Sequence, residues 1–190
     1  MGYRWLSWTT PNQITALRIL LVPVLMALLY YDHPWGNTVA MLVFLFAGFT
    51  DYVDGNLARF RNEVTNLGRL LDPIADKMLV TASLVMLVES GHAGAVATIL
   101  VLMREFAVSA LRQVAALDGV ALASVPGAKW KTTLQMLATG ILIMSINPLG
   151  VPLEMLGRIT LWVATVITVW TGIGYFRSYF QAHSIKSMKS

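Results

Sequence analysis

Six long apolar stretches follow one another along this chain and constrain its fold more than any other feature. They lie at about residues 14–31, 37–59, 68–88, 94–117, 132–148 and 153–177. A helix needs about 20 apolar residues to cross a bilayer, and 56% of the 190 residues are hydrophobic while only 13% are charged. Since little chain is left between the stretches, we predict an all-α integral membrane protein with six transmembrane helices in a single domain, residues 1–190.

The basic residues are distributed unevenly about these predicted spans. When the amino terminus is placed in the cytoplasm, all but one of the 14 Lys and Arg residues fall at or near the cytoplasmic side, and only Arg158 is left for the other side. This is the positive-inside bias of an even number of spans with both termini cytoplasmic. We therefore expect a protein of the bacterial cytoplasmic (inner) membrane, and the net charge of +4 does not indicate nucleic acid as a partner.

Aromatic residues gather near the predicted span ends, where interfacial belts form. We expect them to anchor the protein at the membrane surface and to take no part in its chemistry. They are Trp35, Trp130, Trp162, Trp170, Tyr30, Tyr31, Tyr175 and Tyr179.

Four aspartates are concentrated at the facing ends of the second and third predicted spans. Asp51 and Asp54 are one helical turn apart. Asp72 and Asp76 are similarly spaced, so each pair projects from one face of its own helix. Because the connecting loop at about residues 60–67 is short, we expect the two helices to be antiparallel neighbours whose pairs can face each other. Carboxylates are costly near hydrocarbon, which disfavours a purely structural role for all four.

The chemistry of these side chains indicates a hard divalent cation. Four carboxylates without His or Cys form an oxygen cage suited to Mg²⁺, Mn²⁺ or Ca²⁺. Such a cage can hold two ions about 4 Å apart and clamp a phosphoryl group. The small residues Gly55, Ala58 and Gly68 leave room for an extended ligand, and Arg59 is placed to contact a phosphate. Taken alone, small residues and arginines also serve helix packing and snorkelling, so the interpretation depends on the aspartates.

The run from Asp51 to Asp76 resembles the signature of the CDP-alcohol phosphotransferases. That signature is Asp-x-x-Asp-Gly-x-x-Ala-Arg, eight residues, then Gly-x-x-x-Asp-x-x-x-Asp, and every fixed position is present. The resemblance implies a six-helix membrane fold, usually a homodimer, that uses two divalent cations, Mg²⁺ or Mn²⁺, to displace CMP from a CDP-linked donor. The implied metal ligands are Asp51, Asp54, Asp72 and Asp76. The positions that would bind the CDP-lipid are Gly55, Ala58, Arg59 and Gly68.

A second group of polar residues lies on the fourth predicted span and in the loop after it. Arg104 and Arg112 are two helical turns apart, and Val108 lies on the same stripe between them. Together with Lys129 and Lys131, these arginines predict a cationic pocket near the metals. A phosphorylated acceptor needs such a pocket, whereas a neutral acceptor does not. The two lysines alone would also fit ordinary positive-inside charges.

This stretch is also similar to one subgroup of the same family, as is the opening Pro-Asn-x-Ile-Thr-x-x-Arg at residues 11–18. The resemblance implies transfer of the phosphatidyl group of CDP-diacylglycerol to glycerol 3-phosphate, giving phosphatidylglycerol phosphate and CMP at a site that faces the cytoplasm. Asp76 is the expected base, by resemblance and because it can touch a metal and still reach a substrate on the solvent side. The side chains expected to bind the acceptor phosphate are Arg104, Arg112, Lys129 and Lys131.

Three alternatives stay open on the sequence alone. The first is an enzyme of the same family with another acceptor: phosphatidylglycerol, which gives cardiolipin, or serine or an inositol phosphate. A neutral acceptor would not need Arg104 and Arg112. A membrane ion or proton transporter also uses carboxylates, but it would place charges across the midplane rather than at one face. A prenyl-diphosphate enzyme shares the aspartate-bound metal but does not require the accompanying glycine, alanine and arginine positions.

Overall fold

The computed structural model describes the backbone of residues 10–31, 33–61, 66–120, 128–144 and 152–187. Side chains are described for residues 16–31, 33, 35–48, 50, 74–75, 77–120, 130–144 and 152–184. Within these ranges the chain forms six α-helices and no β-strand, which confirms the all-α prediction. The helices are α1 (Thr10–Tyr30), α2 (Pro34–Arg61), α3 (Asn66–Glu89), α4 (Ala95–Leu117), α5 (Ala128–Ile143) and α6 (Leu153–Ser187).

The helices coincide with the predicted apolar stretches, and the main differences concern α5 and α6. Helix α5 begins at Ala128 rather than near residue 132 and ends at Ile143 rather than near residue 148. Helix α6 continues to Ser187, well beyond residue 177. Hydropathy detects only the apolar part of a helix, and polar residues such as those at the end of α6 continue it because their helix propensity is adequate.

Helix α1 packs against both α2 and α3, while α2 and α3 contact each other at few of the described positions. Leu25 of α1, Phe44 of α2 and Leu84 of α3 are fully buried in the same apolar cluster. The short connection predicted direct neighbours, yet over most of their described length the two helices share α1 as their common partner. Helices α5 and α6 form the most extensive pair, and α4 packs along α6.

The described outer surface of the helices carries many large apolar side chains. Trp170 of α6 is 74% exposed, and comparable residues project from the outer faces of α1, α2 and α4. Examples are Leu20, Leu42, Met103, Phe106 and Val166. An apolar exterior of this extent is unusual for a monomer in water and is typical of a surface that another apolar phase covers.

Among the described residues, one helix is both long and apolar enough to cross a bilayer by itself. It covers Leu153–Ser184 in α6, with a mean hydropathy of 1.5. Two shorter apolar segments occur at Ala16–Tyr30 and Trp35–Gly48. The predicted number of six crossings therefore stays a prediction.

The aromatic residues predicted to anchor the protein divide into two groups. Six are exposed, as an interfacial anchor requires: Tyr30, Tyr31, Trp35, Trp130, Trp162 and Trp170. Tyr175, in contrast, is only 2% exposed and forms a buried cluster with Val108 and Leu111, against which Tyr179 packs. The prediction that Tyr175 is an interfacial anchor is therefore wrong. Tyr175 lies on the side of α6 that faces α4.

Candidate acceptor site

A cavity of about 420 Å³ lies between α3, α4 and α5. Its volume falls in the range of small-molecule sites. Apolar side chains of α3 and α4 form part of its wall, and polar side chains of all three helices form the rest. The polar lining consists of Lys77, Thr81, Arg104, Glu105, Ser109, Arg112, Lys131, Thr132 and Gln135. We call this space the cationic cavity.

Helix α4 contributes most to the cationic cavity because its polar residues recur at helical spacing. Arg104, Val108 and Arg112 follow one another at intervals of one turn and all line the cavity. Met103 and Phe106, on the other side of α4, are exposed apolar residues. A helix with its polar face inward and its apolar face outward is typical of membrane proteins that enclose a polar site.

Arg104 is the most buried cation of the cavity, at 8% exposure near the middle of α4. Its Nη1 donates to Glu105 Oε1 at 2.9 Å, and its Nη2 donates to Thr171 Oγ1 of α6 at 2.9 Å. Its Nε is buried and has no hydrogen-bond partner among the described residues. Two of the three guanidinium nitrogens are therefore held by protein groups, which fixes the orientation of the charged plane.

Glu105 links α4 to α5 as well as neutralising part of the charge of Arg104. Lys131 Nζ donates to the same Oε1 that accepts from Arg104. On the other side of the cavity, Lys77 Nζ of α3 donates to Ser109 Oγ of α4. The cavity wall is thus cross-linked by polar contacts between helices. Paired and hydrogen-bonded charges of this kind are tolerated at partly buried positions where isolated charges are not.

Arg112 is held by the aromatic ring of Tyr175 on α6. Its Nη2 donates to the Tyr175 hydroxyl at 2.9 Å, and its guanidinium carbon lies 4.9 Å from the ring centroid. The guanidinium carbon of Arg104 lies 5.8 Å from the same centroid. Both distances are within the range of a cation–π interaction. One tyrosine ring therefore contacts the two arginines that lie two turns apart on α4.

The cavity carries an excess of positive charge. Among the described lining residues, Lys77, Arg104, Arg112 and Lys131 supply four formal positive charges and Glu105 supplies one negative charge, a net charge of +3 for this part of the wall. Arginine and lysine in a partly buried setting favour phosphate and carboxylate ligands, and the planar guanidinium can bind two oxygens at once. The ligand class that fits this cavity is a small, doubly charged anion such as a phosphomonoester.

The structure brings Arg104, Arg112 and Lys131 onto the wall of one cavity, and their role in binding an acceptor phosphate stays a prediction. The side chain of Lys129 lies outside the described residues. The sequence interpretation did not assign Lys77 or Tyr175 to this site. The lysine is preceded directly by an aspartate of the signature, which was a usable signal. The tyrosine is 63 residues from Arg112 and gave no local signal.

The predicted metal site lies where only the backbone is described. Asp51 and Asp54 belong to the last part of α2, and Asp72 and Asp76 belong to the first half of α3. The side chains of these aspartates are outside the described residues, as are the predicted CDP-lipid positions Gly55, Ala58, Arg59 and Gly68. Among the side chains that are described, no group of three or more His, Asp or Glu residues forms a metal site. The aspartate cage therefore stays a prediction.

Comparison with known proteins identifies the class of enzyme. A family model described as CDP-alcohol phosphatidyltransferase matches residues 8–170. The chain belongs to this family of transferases, which confirms the resemblance predicted from its aspartate signature. It is similar to several proteins named CDP-diacylglycerol–glycerol-3-phosphate 3-phosphatidyltransferase. The one from Rickettsia typhi is 40% identical over 169 residues, with 88% of this chain and 95% of that protein covered. The one from Bacillus subtilis is 37% identical, with 90% and 95% covered.

The fold is also similar to that of a solved structure. The crystal structure of phosphatidylinositol phosphate synthase from Mycobacterium tuberculosis in its apo form matches with a TM-score of 0.65 and 22% identity, over 91% of this chain and 90% of that chain. A crystal structure of the same protein with CDP-DAG bound matches with a TM-score of 0.64 and 19% identity, over 91% and 87% of the two chains. At this identity the likeness extends to the fold alone.

Proposed function

We propose that this protein transfers the phosphatidyl group of CDP-diacylglycerol to glycerol 3-phosphate, giving phosphatidylglycerol phosphate and CMP. Relatives that match most of the chain are named for this reaction. The observation that carries the proposal is the cationic cavity, where Arg104, Arg112 and Lys131 meet and where Glu105 is the one acidic side chain among the described residues of the lining. A phosphomonoester acceptor matches this charge, whereas serine, glycerol and other acceptors without a phosphate do not.

The cationic cavity adjoins the predicted metal site through α3. Asp76 directly precedes Lys77 and lies one helical turn before Val80, and these two neighbours line the cavity. A substrate whose phosphate is held by α4 and α5 can therefore present its hydroxyl group to the aspartate pair of α3. This adjacency supports a single active site with an acceptor part and a donor part.

The helix bounds support a matched arrangement of the two aspartate pairs. Asp54 on α2 and Asp72 on α3 each lie about 10 Å of helix rise from the connection between the helices. Asp51 and Asp76 each lie about 15 Å from it. A short connection favours an antiparallel arrangement of the two helices. In that arrangement Asp54 would lie at the same depth as Asp72, and Asp51 at the same depth as Asp76.

The predicted metal ligands fit Mg²⁺ or Mn²⁺, because four carboxylates offer only hard oxygen atoms. The residues that would hold two such ions are Asp51, Asp54, Asp72 and Asp76. When bound there, the ions would neutralise the negative charge of the donor diphosphate and of the departing CMP.

The protein's own side chains then orient and activate the acceptor. Arg104, Arg112 and Lys131, with Lys129, hold the phosphate of glycerol 3-phosphate and direct its free primary hydroxyl towards the phosphorus that bears the lipid. Asp76 takes the proton of that hydroxyl as the new oxygen–phosphorus bond forms. The bond between this phosphorus and the CMP oxygen breaks, and CMP leaves. Gly55, Ala58 and Gly68 would leave the space for the cytidine of the donor, and Arg59 would contact a phosphate of the donor.

We also propose that the chain forms one membrane domain over residues 1–190, with six transmembrane helices and both termini in the cytoplasm. The apolar exterior of the described helices and the position of Arg158 apart from the other basic residues support this topology. The active site would face the cytoplasm of a bacterial inner membrane, and the protein would act as a homodimer. Because the sequence contains no cysteine, single cysteines can be introduced at Ser90 and Ser184 and labelled from either side. Labelling of Ser184→Cys from the outside would overturn the topology.

The activity is tested with purified protein in detergent, CDP-diacylglycerol and Mg²⁺ or Mn²⁺. CMP release is measured with glycerol 3-phosphate, glycerol, serine, an inositol phosphate or phosphatidylglycerol as the acceptor. We expect glycerol 3-phosphate to give the fastest release and a phosphatidylglycerol phosphate product. If glycerol 3-phosphate released no more CMP than water while another acceptor did, the assignment of the acceptor would be wrong. Release in micelles, where no ion gradient exists, would also exclude transport as the primary activity.

A further inference from the structure

We propose that three residues of α6 position the arginines that bind the acceptor. These residues are Thr171, Gly172 and Tyr175, and we call them the α6 platform. The platform contacts the side chains of Arg104 and Arg112 from α6, a helix that contributes none of its described residues to the lining of the cavity. This inference rests on the proposed function of those arginines. It adds a set of positioning residues that do not themselves line the cavity.

Gly172 is required because the side chain of Arg104 crosses α6 at this position. A Cβ atom at residue 172 would lie 2.9 Å from Cγ and 3.3 Å from Nε of Arg104. The first distance is shorter than real Cβ contacts, and Cγ is close to the α4 backbone, so it cannot move aside without displacing the guanidinium group. Glycine is a poor residue for the interior of a helix. The space taken by Arg104 supplies a physical reason for it here.

Thr171 fixes the distal end of Arg104. Its hydroxyl donates to the Thr168 carbonyl oxygen at 3.0 Å and accepts from Arg104 Nη2 at 2.9 Å. A hydroxyl has one proton, so once it is used on the carbonyl the oxygen lone pairs are directed to the arginine. Thr171 is only 1% exposed. Its orientation is therefore set within α6, independently of any ligand.

Tyr175 lies one helical turn after Thr171 and serves both arginines. Its hydroxyl accepts from Arg112 Nη2, and its ring contacts both guanidinium groups at the distances given above. Two guanidinium groups of like charge repel each other, and the negative face of an aromatic ring offsets part of that repulsion. The ring thereby allows Arg104 and Arg112 to be held close enough to share one anion.

The platform matters for the acceptor because orientation is costly to achieve after binding. A guanidinium group that is already fixed loses little conformational freedom when it takes up a phosphate. Displacement of Arg104 by an added methyl group is therefore expected to weaken the binding of glycerol 3-phosphate and to leave the binding of CDP-diacylglycerol unchanged. This separation between the two substrates distinguishes a positioning role from a general effect on stability.

The main test compares Gly172→Ala with the wild type in the CMP-release assay. We expect KM for glycerol 3-phosphate to rise about tenfold, as for loss of one charge-assisted hydrogen bond, and KM for CDP-diacylglycerol to stay unchanged. The matched control is Gly157→Ala on the same helix. There an added Cβ meets side-chain atoms of Leu142 and Ile141 rather than an arginine. This control is expected to change stability without changing the ratio of the two KM values.

A double-mutant cycle tests whether Gly172 acts through Arg104. In an Arg104→Ala background no Cγ remains to clash, so Gly172→Ala is expected to add no further rise in KM for glycerol 3-phosphate. Additive effects would overturn the inference. If Gly172→Ala does not fold, Thr171→Val carries the test, because it keeps the shape of the side chain and removes the hydroxyl that accepts from Arg104 Nη2 and donates to the Thr168 carbonyl oxygen. An unchanged glycerol 3-phosphate KM in Thr171→Val would then overturn the inference.

The outcomes separate the platform from the proposed function. A wild-type protein that releases no CMP with glycerol 3-phosphate would contradict the proposed function itself. An active wild type whose Gly172→Ala variant raises both KM values equally, or raises neither, would contradict the α6 platform and leave the function intact.

Discussion

The aspartate signature and the cationic cavity differ in how far apart their residues lie in the chain. The signature occupies one continuous run from Asp51 to Asp76 on two consecutive helices. In the cavity and the α6 platform, hydrogen bonds connect residues that are far apart in the chain. Lys131 and Glu105 are 26 positions apart, and Arg104 and Thr171 are 67 positions apart. The local run is readable as a motif, whereas the distant contacts depend on helix packing. We expect the first region to serve the chemical step and the donor, and the second to serve the acceptor.

The largest effect is expected from Asp76→Asn in the signature. Loss of the base should lower kcat at least about 100-fold, while KM for glycerol 3-phosphate changes little because the cationic cavity is intact. Metal binding is followed in parallel by Mn²⁺ electron paramagnetic resonance. Glu89→Gln, at the exposed end of the same helix, is the matched control and should keep full activity. Retention of most of the wild-type rate in Asp76→Asn would exclude this residue as the base.

The next effect tests the acceptor side of the comparison through Arg104→Lys. The substitution keeps the charge but loses the planar fork that contacts Glu105 and Thr171. We expect KM for glycerol 3-phosphate to rise about tenfold or more and KM for CDP-diacylglycerol to stay constant. The control is Arg158→Lys, which lies near the other end of α6 and pairs with Glu154. An equal rise in both KM values would mean that the two regions do not divide the substrates.

A smaller effect with two opposite components is expected from Glu105→Gln. The change removes the carboxylate that joins Arg104 to Lys131, so the free energy of unfolding should fall by about 1–3 kcal/mol. The same change raises the net positive charge of the cavity, and KM for glycerol 3-phosphate should fall. Thermal unfolding and kinetics on the same sample measure both. Added glycerol 3-phosphate should raise Tm more in the variant than in the wild type, and a smaller rise would count against an anion site.

The smallest effect concerns Tyr179, near the far end of α6. Its hydroxyl donates to Asp118 Oδ2 at 2.6 Å. Ionisation of the phenol in strongly alkaline solution removes the donated proton, so the contribution of this hydrogen bond to the free energy of unfolding is lost there.

Thermal unfolding of Tyr179→Phe against pH measures this contribution. We expect a slightly lower Tm than in the wild type at neutral pH and a difference that shrinks in strongly alkaline solution. Tyr30→Phe, at an exposed position on α1, is the control and should show no such convergence. A difference that stays constant through the alkaline range would show that the hydrogen bond to Asp118 is not its source.

Much of the candidate site followed from the sequence. The helical positions of the four aspartates and the stripe of Arg104, Val108 and Arg112 depend only on the 3.6-residue period of a helix. The positions that were missed, above all Tyr175, are ordinary in their own neighbourhood. A tyrosine near a span end is most often an anchor, and only the side of α6 that packs on α4 changes that interpretation.

The sequence by itself determined the all-α class, the approximate bounds of the helices, the family and the hard-oxygen character of the predicted metal ligands. These follow from local properties: hydropathy, helical period and residue chemistry at fixed spacing. Only the tertiary structure decided that α1 packs between α2 and α3, that Lys77 and Lys131 face one cavity, and that Gly172 leaves space for Arg104. Periodicity gives the face of a helix on which a residue lies. Which helix covers that face is decided by side-chain packing across the bundle.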